Sequence, residues 1–116
     1  MKLFMLLLNH KINIGGKNMD EITINNDNGI LTVSSLQVAE DFEKQHKHIL
    51  NAIENITAEN SAVTSMFIKS TYQSGTGKNY KCYNLTRDGF SLLVMGFTGK
   101  KALGWKLKYI EAFNLY

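Results

Sequence analysis

Five polar side chains in the first half of the chain have the types and the spacing to bind nucleic acid. At 100° per residue they gather on one side of a helix over residues 44–56, and they are Lys44, Lys47, His48, Asn51 and Asn55. Lysine neutralises phosphate, whereas asparagine and histidine hydrogen-bond base edges in a major groove that admits a helix. The pattern predicts a DNA-binding helix face, with a merely solvated polar face as the alternative.

The opposite side of the same helix is apolar and is expected to pack on the core, through His46, Ile49, Leu50, Ile53 and Ile56. A shorter helix is predicted just before it, from Ser35 to about Phe42. Ser34 and Gln37 have the spacing of a capping box, and Val33 can pack on Val38 as a hydrophobic staple. The short connection between the two helices fits a helix-turn-helix, although it lacks the usual glycine.

A basic β-hairpin is the second candidate for contact with nucleic acid. Met66–Tyr72 and Tyr80–Leu85 are rich in β-branched and aromatic residues and enclose the flexible segment Ser74–Asn79. Three lysines are predicted to project from this hairpin as from a wing lying along phosphates: Lys69, Lys78 and Lys81. The alternative is an ordinary solubilising hairpin. The tip sequence Gly-Thr-Gly-Lys lacks the spacing of a phosphate-binding loop.

Two further segments connect these elements. Ile22–Ile24 is predicted to pair with Ile30–Thr32 in a short hairpin, across the turn-forming residues 25–29. Residues 57–65 are small and polar and are predicted to form a loop between the long helix and the basic hairpin.

The densest apolar stretch, Thr86 to Asn114, is predicted to form two helices on which the other elements pack. The break falls at residues 96–99, where two glycines permit a turn and Thr98 can cap the second helix. One broad face of that second helix is expected to be buried, through Ala102, Leu103, Tyr109, Ile110 and Phe113. Lys100, Lys101 and Lys108 lie toward its other side.

Composition limits the class of protein. A chain of 116 residues forms one domain, and its single cysteine, Cys82, cannot form an internal disulfide, so the cytoplasm is the default location. The net charge of +3 is unevenly divided: residues 1–63 hold five basic and eight acidic residues, whereas residues 64–116 hold eight basic and two acidic residues. A basic second half favours an anionic partner, most often nucleic acid.

Residues 1–18 are interpreted as an N-terminal extension and residues 19–116 as the domain. The apolar run Leu3–Leu8 is too short for a signal peptide and no cleavage site follows it. The codons for Gly15–Asn18 can form a purine-rich ribosome-binding site just upstream of the Met19 codon. One hypothesis is therefore that Met19 is the true start.

No catalytic constellation is recognisable, and the chain is predicted not to be an enzyme. His46 and His48 would point about 160° apart on a helix and cannot share a metal ion. Glu40, Asp41 and Glu43 cluster on the short helix, where a solvated acidic face explains them better than acid–base catalysis. Neither a metal nor a cofactor is therefore expected.

Several motifs in the second half resemble a known family. They are Tyr83-x-Leu85-x-x-Asp88-Gly89-Phe90, the run from Leu93 to Ala102, and Tyr109-Ile110-x-Ala112-Phe113-Asn114. With His46, Ile49 and Ile53 in the long helix, they make residues 30–114 similar to the Rha family of phage regulatory proteins. Gly104 departs from the pattern, because a stronger helix former is expected there.

The resemblance implies a prophage-encoded regulator with a winged-helix-like DNA-binding domain. Together with the residue patterns it gives an α+β fold: a small winged-helix-like domain with a helix-turn-helix, a β-hairpin wing and two C-terminal helices. The expected partner is double-stranded DNA, and homodimerisation is left open. The alternative is an antirepressor-like module that binds a repressor or a host protein through the basic half and exposed aromatics such as Trp105 or Tyr116. No membrane contact is expected.

Overall fold

A four-stranded antiparallel sheet joins the helices of this α+β domain. The computed structural model describes residues 13–14, 17–18 and 22–115. A separate two-residue pair comes first, β1 (Asn13–Ile14) with β2 (Lys17–Asn18). The main sheet consists of β3 (Asn25–Asp27), β4 (Ile30–Ser34), β5 (Phe67–Gln73) and β6 (Asn79–Thr86), in the order β3-β4-β6-β5. The start hypothesis at Met19 and most of the proposed extension lie outside the described residues.

The predicted first hairpin of the main sheet is present, but one of its strands is formed by other residues than predicted. Asn25–Asp27, and not Ile22–Ile24, pairs with β4, with Asn25 opposite Thr32. The turn is only two residues long, and both have positive φ, 56° at Asn28 and 88° at Gly29. Asn-Gly suits such a turn because both residues tolerate that backbone conformation. Three of the five predicted turn residues, Asn25–Asp27, thereby become strand.

Helix α1 (Ser35–Asp41) ends close to the predicted position, and Ser34 is its N-cap as expected. Ser34 Oγ accepts from the Leu36 amide at 3.1 Å. The predicted capping box is wrong, because the Gln37 side chain donates to Asp41 Oδ1 at 3.0 Å instead. The turn after α1 places Glu43 at φ 56°, so a glutamate occupies the left-handed position where a helix-turn-helix usually has glycine.

The long helix, α2, spans His46–Glu59 and is followed by a 3₁₀ helix, Ser61–Met66. The predicted loop over residues 57–65 is therefore wrong: its first residues extend α2 and most of the others form the 3₁₀ helix. Asn60 marks the junction, and its side chain accepts from the Ala62 amide at 3.0 Å. An asparagine side chain that accepts from a nearby amide in this way favours the start of a helical turn, and the 3₁₀ helix begins directly after Asn60.

The β5–β6 hairpin agrees with the prediction. Its register runs from Phe67 opposite Leu85 to Gln73 opposite Asn79. Gly77, at φ 83°, closes the tip, and its amide donates to the Ser74 carbonyl at 2.9 Å. β6 also pairs with β4, so the strand that enters α1 and the returning strand of this hairpin share one sheet.

Two C-terminal helices follow, α3 (Arg87–Val94) and α4 (Lys100–Asn114), with the predicted break between them. Thr86 caps α3 by accepting from the Gly89 amide at 3.2 Å. The predicted cap of α4 is wrong, because Gly99 occupies the N-cap position at φ 103° and no side chain caps that helix.

The buried face of α4 also differs from the predicted one. Ala102, Trp105, Tyr109 and Phe113 are buried, whereas Leu103 and Ile110 are 57% and 48% exposed. Trp105, at 7% exposure, is thus not the exposed aromatic that the protein-interaction alternative assumed. Tyr116, the other aromatic of that alternative, lies outside the described residues.

An aromatic cluster forms the centre of the core. Tyr109 is fully buried and stacks on Phe90 with ring centroids 4.5 Å apart, while Phe42 lies 5.9 Å from the same ring. The Tyr109 hydroxyl donates to Asp41 Oδ2 at 2.5 Å. Asp41 is only 3% exposed, so the predicted solvated acidic face of α1 is wrong at this residue.

Within the described residues, no helix has both the length and the apolarity to cross a membrane.

Candidate nucleic-acid interface

Helix α2 separates its residues into a buried and an open side much as the sequence pattern predicts. Ile49 and Ile53 are 1% and 0% exposed. Four of the five candidate residues lie together on the exposed side of the helix: Lys47, His48, Asn51 and Asn55. A surface of two amides, an imidazole and an ammonium group can donate to and accept from base edges and can neutralise phosphate.

Lys44 is the exception, because it lies in the turn before α2 and not on the helix. Its backbone amide donates to the Ala39 carbonyl at 2.8 Å, which closes the end of α1. Its side chain extends toward Phe97, with Nζ 4.9 Å from the ring centroid. The placement of Lys44 on the helical face was therefore wrong, and its side chain lies against Phe97, in the segment that connects α3 and α4.

A buried hydroxyl fixes the start of α2 relative to α1 and the sheet. Ser35, the first residue of α1, is fully buried; its Oγ accepts from the Tyr83 amide at 3.0 Å and lies 2.9 Å from His46 Nε2. Because the amide donates to Ser35, the hydroxyl proton is free to be donated to an unprotonated Nε2. Three elements therefore meet at this one side chain, and the neutral form of His46 suits the arrangement.

Acidification is expected to destabilise the domain through His46. Desolvation by burial lowers the pKa of His46 from its usual value of 6.5. The unfolded chain then binds a proton at a higher pH than the folded chain, so this stabilising contribution is complete above about pH 6.5 and is lost as the pH falls below it. Urea unfolding at pH 7.5 and pH 5.5 measures the loss.

Two substitutions test whether His46 causes that pH dependence. The change His46→Gln should remove most of the fall in unfolding free energy between the two pH values. The change His48→Gln, at an exposed position on the same helix, should leave it in place. An equal pH dependence in wild type and His46→Gln would show that other groups are responsible.

The three hairpin lysines are all exposed, but they have different surroundings. Lys81 forms an ion pair with Glu54 of α2, and this hydrogen bond is the main cause that raises the pKa of Lys81. Lys69 lies opposite Tyr83 in the strand register. Lys78 lies at the tip, with Nζ 5.7 Å from the Tyr80 ring centroid. Lys69 and Lys81 project from the same face of the hairpin.

An open groove of about 560 Å³ joins the hairpin to α2. It is lined by Glu54, Thr57, Thr64, Phe67, Lys69, Lys81 and Tyr83. On a helical wheel Glu54 is the neighbour of Lys47 and Asn51, so the polar face of α2 continues into the groove. The structure thus brings Lys69 and Lys81 to the edge of the candidate helix face. Among the residues that the structure describes, no three potential metal ligands cluster together.

Glu54 is the residue of the candidate interface that the sequence patterns missed. Its carboxylate neutralises Lys81 at the boundary between helix and hairpin. An acidic residue on the edge of an otherwise basic and amide-bearing helix face was the available signal. Its partner lies 27 residues further along the chain, and spacing within the helix does not reveal it.

Comparison with known proteins gives a family match over most of the chain. A family model described as phage regulatory protein Rha matches residues 33–115. That range contains both candidate elements, α2 and the β5–β6 hairpin. No solved structure matches the chain.

Three curated proteins show similarity over most of this chain. "SPbeta prophage-derived putative antirepressor protein YoqD" of Bacillus subtilis is 33% identical over 97 residues, 80% of this chain and 39% of that protein. An uncharacterized protein of Haemophilus influenzae is 29% identical over 84% of this chain and 58% of its own length. An uncharacterized 22.8 kDa protein of Salmonella phage P22 is 31% identical over 85% of this chain and 56% of its own length. The matched region thus spans about 40–60% of these relatives.

Proposed function

The chain belongs to the Rha family of phage regulatory proteins, and from that premise we propose that it regulates phage genes by binding double-stranded DNA. Helix α2 would enter the major groove as the second helix of a helix-turn-helix, and the β5–β6 hairpin would lie along the backbone as a wing. The observation that carries the proposal is the continuity of the exposed α2 face with the hairpin lysines across the Glu54–Lys81 contact.

The side chains divide into two roles. Asn51 and His48 would hydrogen-bond base edges from the middle of the exposed face, with Asn55 beside them. Lysines on the helix, in the turn and on the hairpin would contact phosphates: Lys44, Lys47, Lys69, Lys78 and Lys81. The strand order supports one rigid unit, since β6 pairs with both β5 and the strand that leads into the helix-turn-helix.

Binding is expected to weaken steeply with salt, and single substitutions should separate the two roles. Each neutralised phosphate contributes about −0.9 to the slope of log affinity against log salt. Lys78→Ala should make the slope shallower by about 1 without changing the preferred sequence, whereas Asn51→Ala should cost about 1–3 kcal/mol and relax the preference at one position. DNA fragments selected from a phage and host genome library, followed by titration at two salt concentrations, measure both effects.

The matched control for the phosphate contacts is Lys100→Ala, since Lys100 is an exposed lysine on α4, outside the proposed interface. It should leave the slope unchanged. Affinity that does not respond to salt would contradict DNA binding, and an unchanged sequence preference in Asn51→Ala would remove Asn51 from the reading role.

Glu54 gives a prediction of the opposite sign. Its carboxylate competes with phosphate for Lys81 and repels the backbone, so Glu54→Gln should strengthen DNA binding by roughly 3–10-fold and steepen the salt slope by about 1. Lys81→Gln, which removes the other partner, should weaken binding. Titration of both variants against one selected duplex checks the pair, and unchanged affinity in Glu54→Gln would place Lys81 away from the DNA backbone.

A protein-interaction role is the second candidate, and the similarity to a relative named as a putative antirepressor favours it. In this case the groove between α2, the 3₁₀ helix and the hairpin would receive a repressor or host protein. Co-purification after nuclease treatment separates the two functions. A stoichiometric protein partner, without retention on DNA or heparin, would support this role and contradict the first.

A further inference from the structure

Helix α4 carries a second apolar stripe that the core does not use. Leu103, Leu107 and Ile110 are 57%, 59% and 48% exposed, and they follow one another at intervals of four and three residues. The buried residues Ala102, Trp105, Tyr109 and Phe113 lie on a different side of the same helix. A helix with one face on a core normally places polar residues on the rest of its surface, so three large aliphatic side chains in line are unusual.

The intervals are those of a coiled-coil seam. Alternating steps of four and three residues keep successive side chains on one line along a helix, where they can pack into the holes of a facing helix. In heptad terms Leu103 and Ile110 take d positions and Leu107 takes the a position between them. Lys106 and Glu111 then occupy the flanking g and e positions on opposite sides of the seam.

The flanking charges fit a second copy of this chain in one orientation. In a parallel pair, a g residue of one helix faces the e residue five positions further on in its partner, and Lys106 and Glu111 have that spacing. In an antiparallel pair, a flank meets the same flank of the other copy, so Lys106 at a g position would not face Glu111 at an e position. One ammonium hydrogen of Lys106 is used by the Phe97 carbonyl at 2.6 Å, which leaves two donors for such a contact.

We propose that two copies of this chain associate through a parallel pairing of their α4 helices along Leu103, Leu107 and Ile110. The stripe is about 10 Å long along the helix, so it covers much less than the roughly 800 Å² per partner of a standard stable interface. The free-solution dimer is therefore weak, with a dissociation constant on the order of 10–100 µM. The proposal does not depend on DNA binding, because it concerns a different helix and is tested without DNA.

Sedimentation equilibrium from about 5 µM to about 1 mM tests the association. Wild type should pass from the mass of a monomer to that of a dimer, whereas Leu107→Glu should remain a monomer throughout. The matched control is Ile68→Glu, at another exposed aliphatic residue, on β5 and away from the stripe, and it should dimerise like wild type. Thermal melting of the variants verifies folding, with Leu103→Glu as a second variant. A monomeric wild type at every concentration, or dimerisation of both stripe variants, would overturn the proposal.

Two further variants test the parallel orientation. Glu111→Lys should weaken the dimer at least tenfold by facing Lys106 of the second copy, and adding Lys106→Glu should restore most of the affinity. Under oxidising conditions the variant Leu103→Cys should form a disulfide between the two copies, because position 103 of one copy lies next to position 103 of the other only in the parallel pair. Lys101→Cys, on another side of the helix, should not, and the native Cys82 is buried. No effect of Glu111→Lys, or no cross-link through Leu103→Cys, would overturn the parallel pairing.

Discussion

Replacing Tyr109 with alanine is expected to lower the free energy of unfolding by about 4 kcal/mol, because large aromatic truncations in a core cost 3–5 kcal/mol. The side chain is fully buried among Phe42, Phe90 and Trp105, so the cavity left behind has no access to solvent. The loss is comparable to the total stability of a small domain, and the midpoint of thermal unfolding should fall by roughly 20 °C. Urea unfolding and thermal melting measure it.

The hydroxyl of Tyr109 can be separated from its ring. Burial, followed by the nearby Asp41 carboxylate, raises the pKa of Tyr109, so the phenol keeps its proton and donates it to Asp41. Tyr109→Phe retains the ring and should cost about 2 kcal/mol, the usual loss for a hydrogen bond to a charged group. Tyr80, at 40% exposure, gives the matched control: Tyr80→Ala should cost less than about 1 kcal/mol. Similar losses at Tyr109 and Tyr80 would contradict the central position of Tyr109.

The change Gly89→Ala is expected to cost about 3 kcal/mol, at the upper end of the range for overpacking. A Cβ at this position would lie 2.4 Å from the Met66 carbonyl oxygen, a backbone atom that cannot rotate away. Thr86 Oγ1 also donates to that carbonyl at 3.3 Å, so α3 and the end of the 3₁₀ helix are fixed together there. Because the 3₁₀ helix borders the groove beside α2, the variant should also weaken the proposed DNA binding at temperatures where it remains folded.

Gly104 is a position where the same change to alanine is expected to have the opposite effect on stability. It also lies within a helix, but a Cβ there would meet nothing within 4 Å. Gly104→Ala should therefore stabilise the protein by about 1 kcal/mol through helix propensity alone. Parallel urea titrations of both variants measure the difference. If Gly89→Ala also proved neutral or stabilising, the close approach of α3 to Met66 would be contradicted.

Local patterns were sufficient for the elements whose structure depends on neighbouring residues. The β5–β6 hairpin follows from alternating aromatic and β-branched residues around a glycine-containing tip. The buried and exposed sides of α2 follow from helical spacing, with Ile49 and Ile53 inside and Asn51 and Asn55 outside. In both cases one periodicity in one segment determines the result.

The errors arose where contacts distant in sequence decide burial. Asp41 lies between two other acidic residues of the predicted solvated face, yet Tyr109, 68 residues away, binds it inside the core. On α4, Leu103 and Ile110 belong to a broad arc of apolar residues with Tyr109. A helical wheel shows the width of such an arc but does not show where the packing neighbours end.

For the candidate interface, too, the exposure of single residues was predictable from the sequence, but the contacts between elements were not. The exposed position of Lys47, His48 and Asn51 on α2 followed from spacing, and the projection of Lys69 followed from strand alternation. The groove that joins the two elements did not, because it depends on the 3₁₀ helix in a segment predicted to be a loop. The charge neutralisation at Glu54 also depended on a contact with another element.

The position of β5 in the sheet affects how substitutions of Lys69 should be designed. Within the described residues β5 has β6 on one side only, so the backbone amides and carbonyls along its outer side are a template for intermolecular strand addition. A charged side chain within such a strand opposes aggregation, because docking would strip it of water. Replacing Lys69 by valine or isoleucine would combine loss of a cation with greater tendency to self-associate into cross-β assemblies. Glutamine or serine at this position removes the charge while keeping a hydrated side chain, so a change in solubility is not mistaken for a change in affinity.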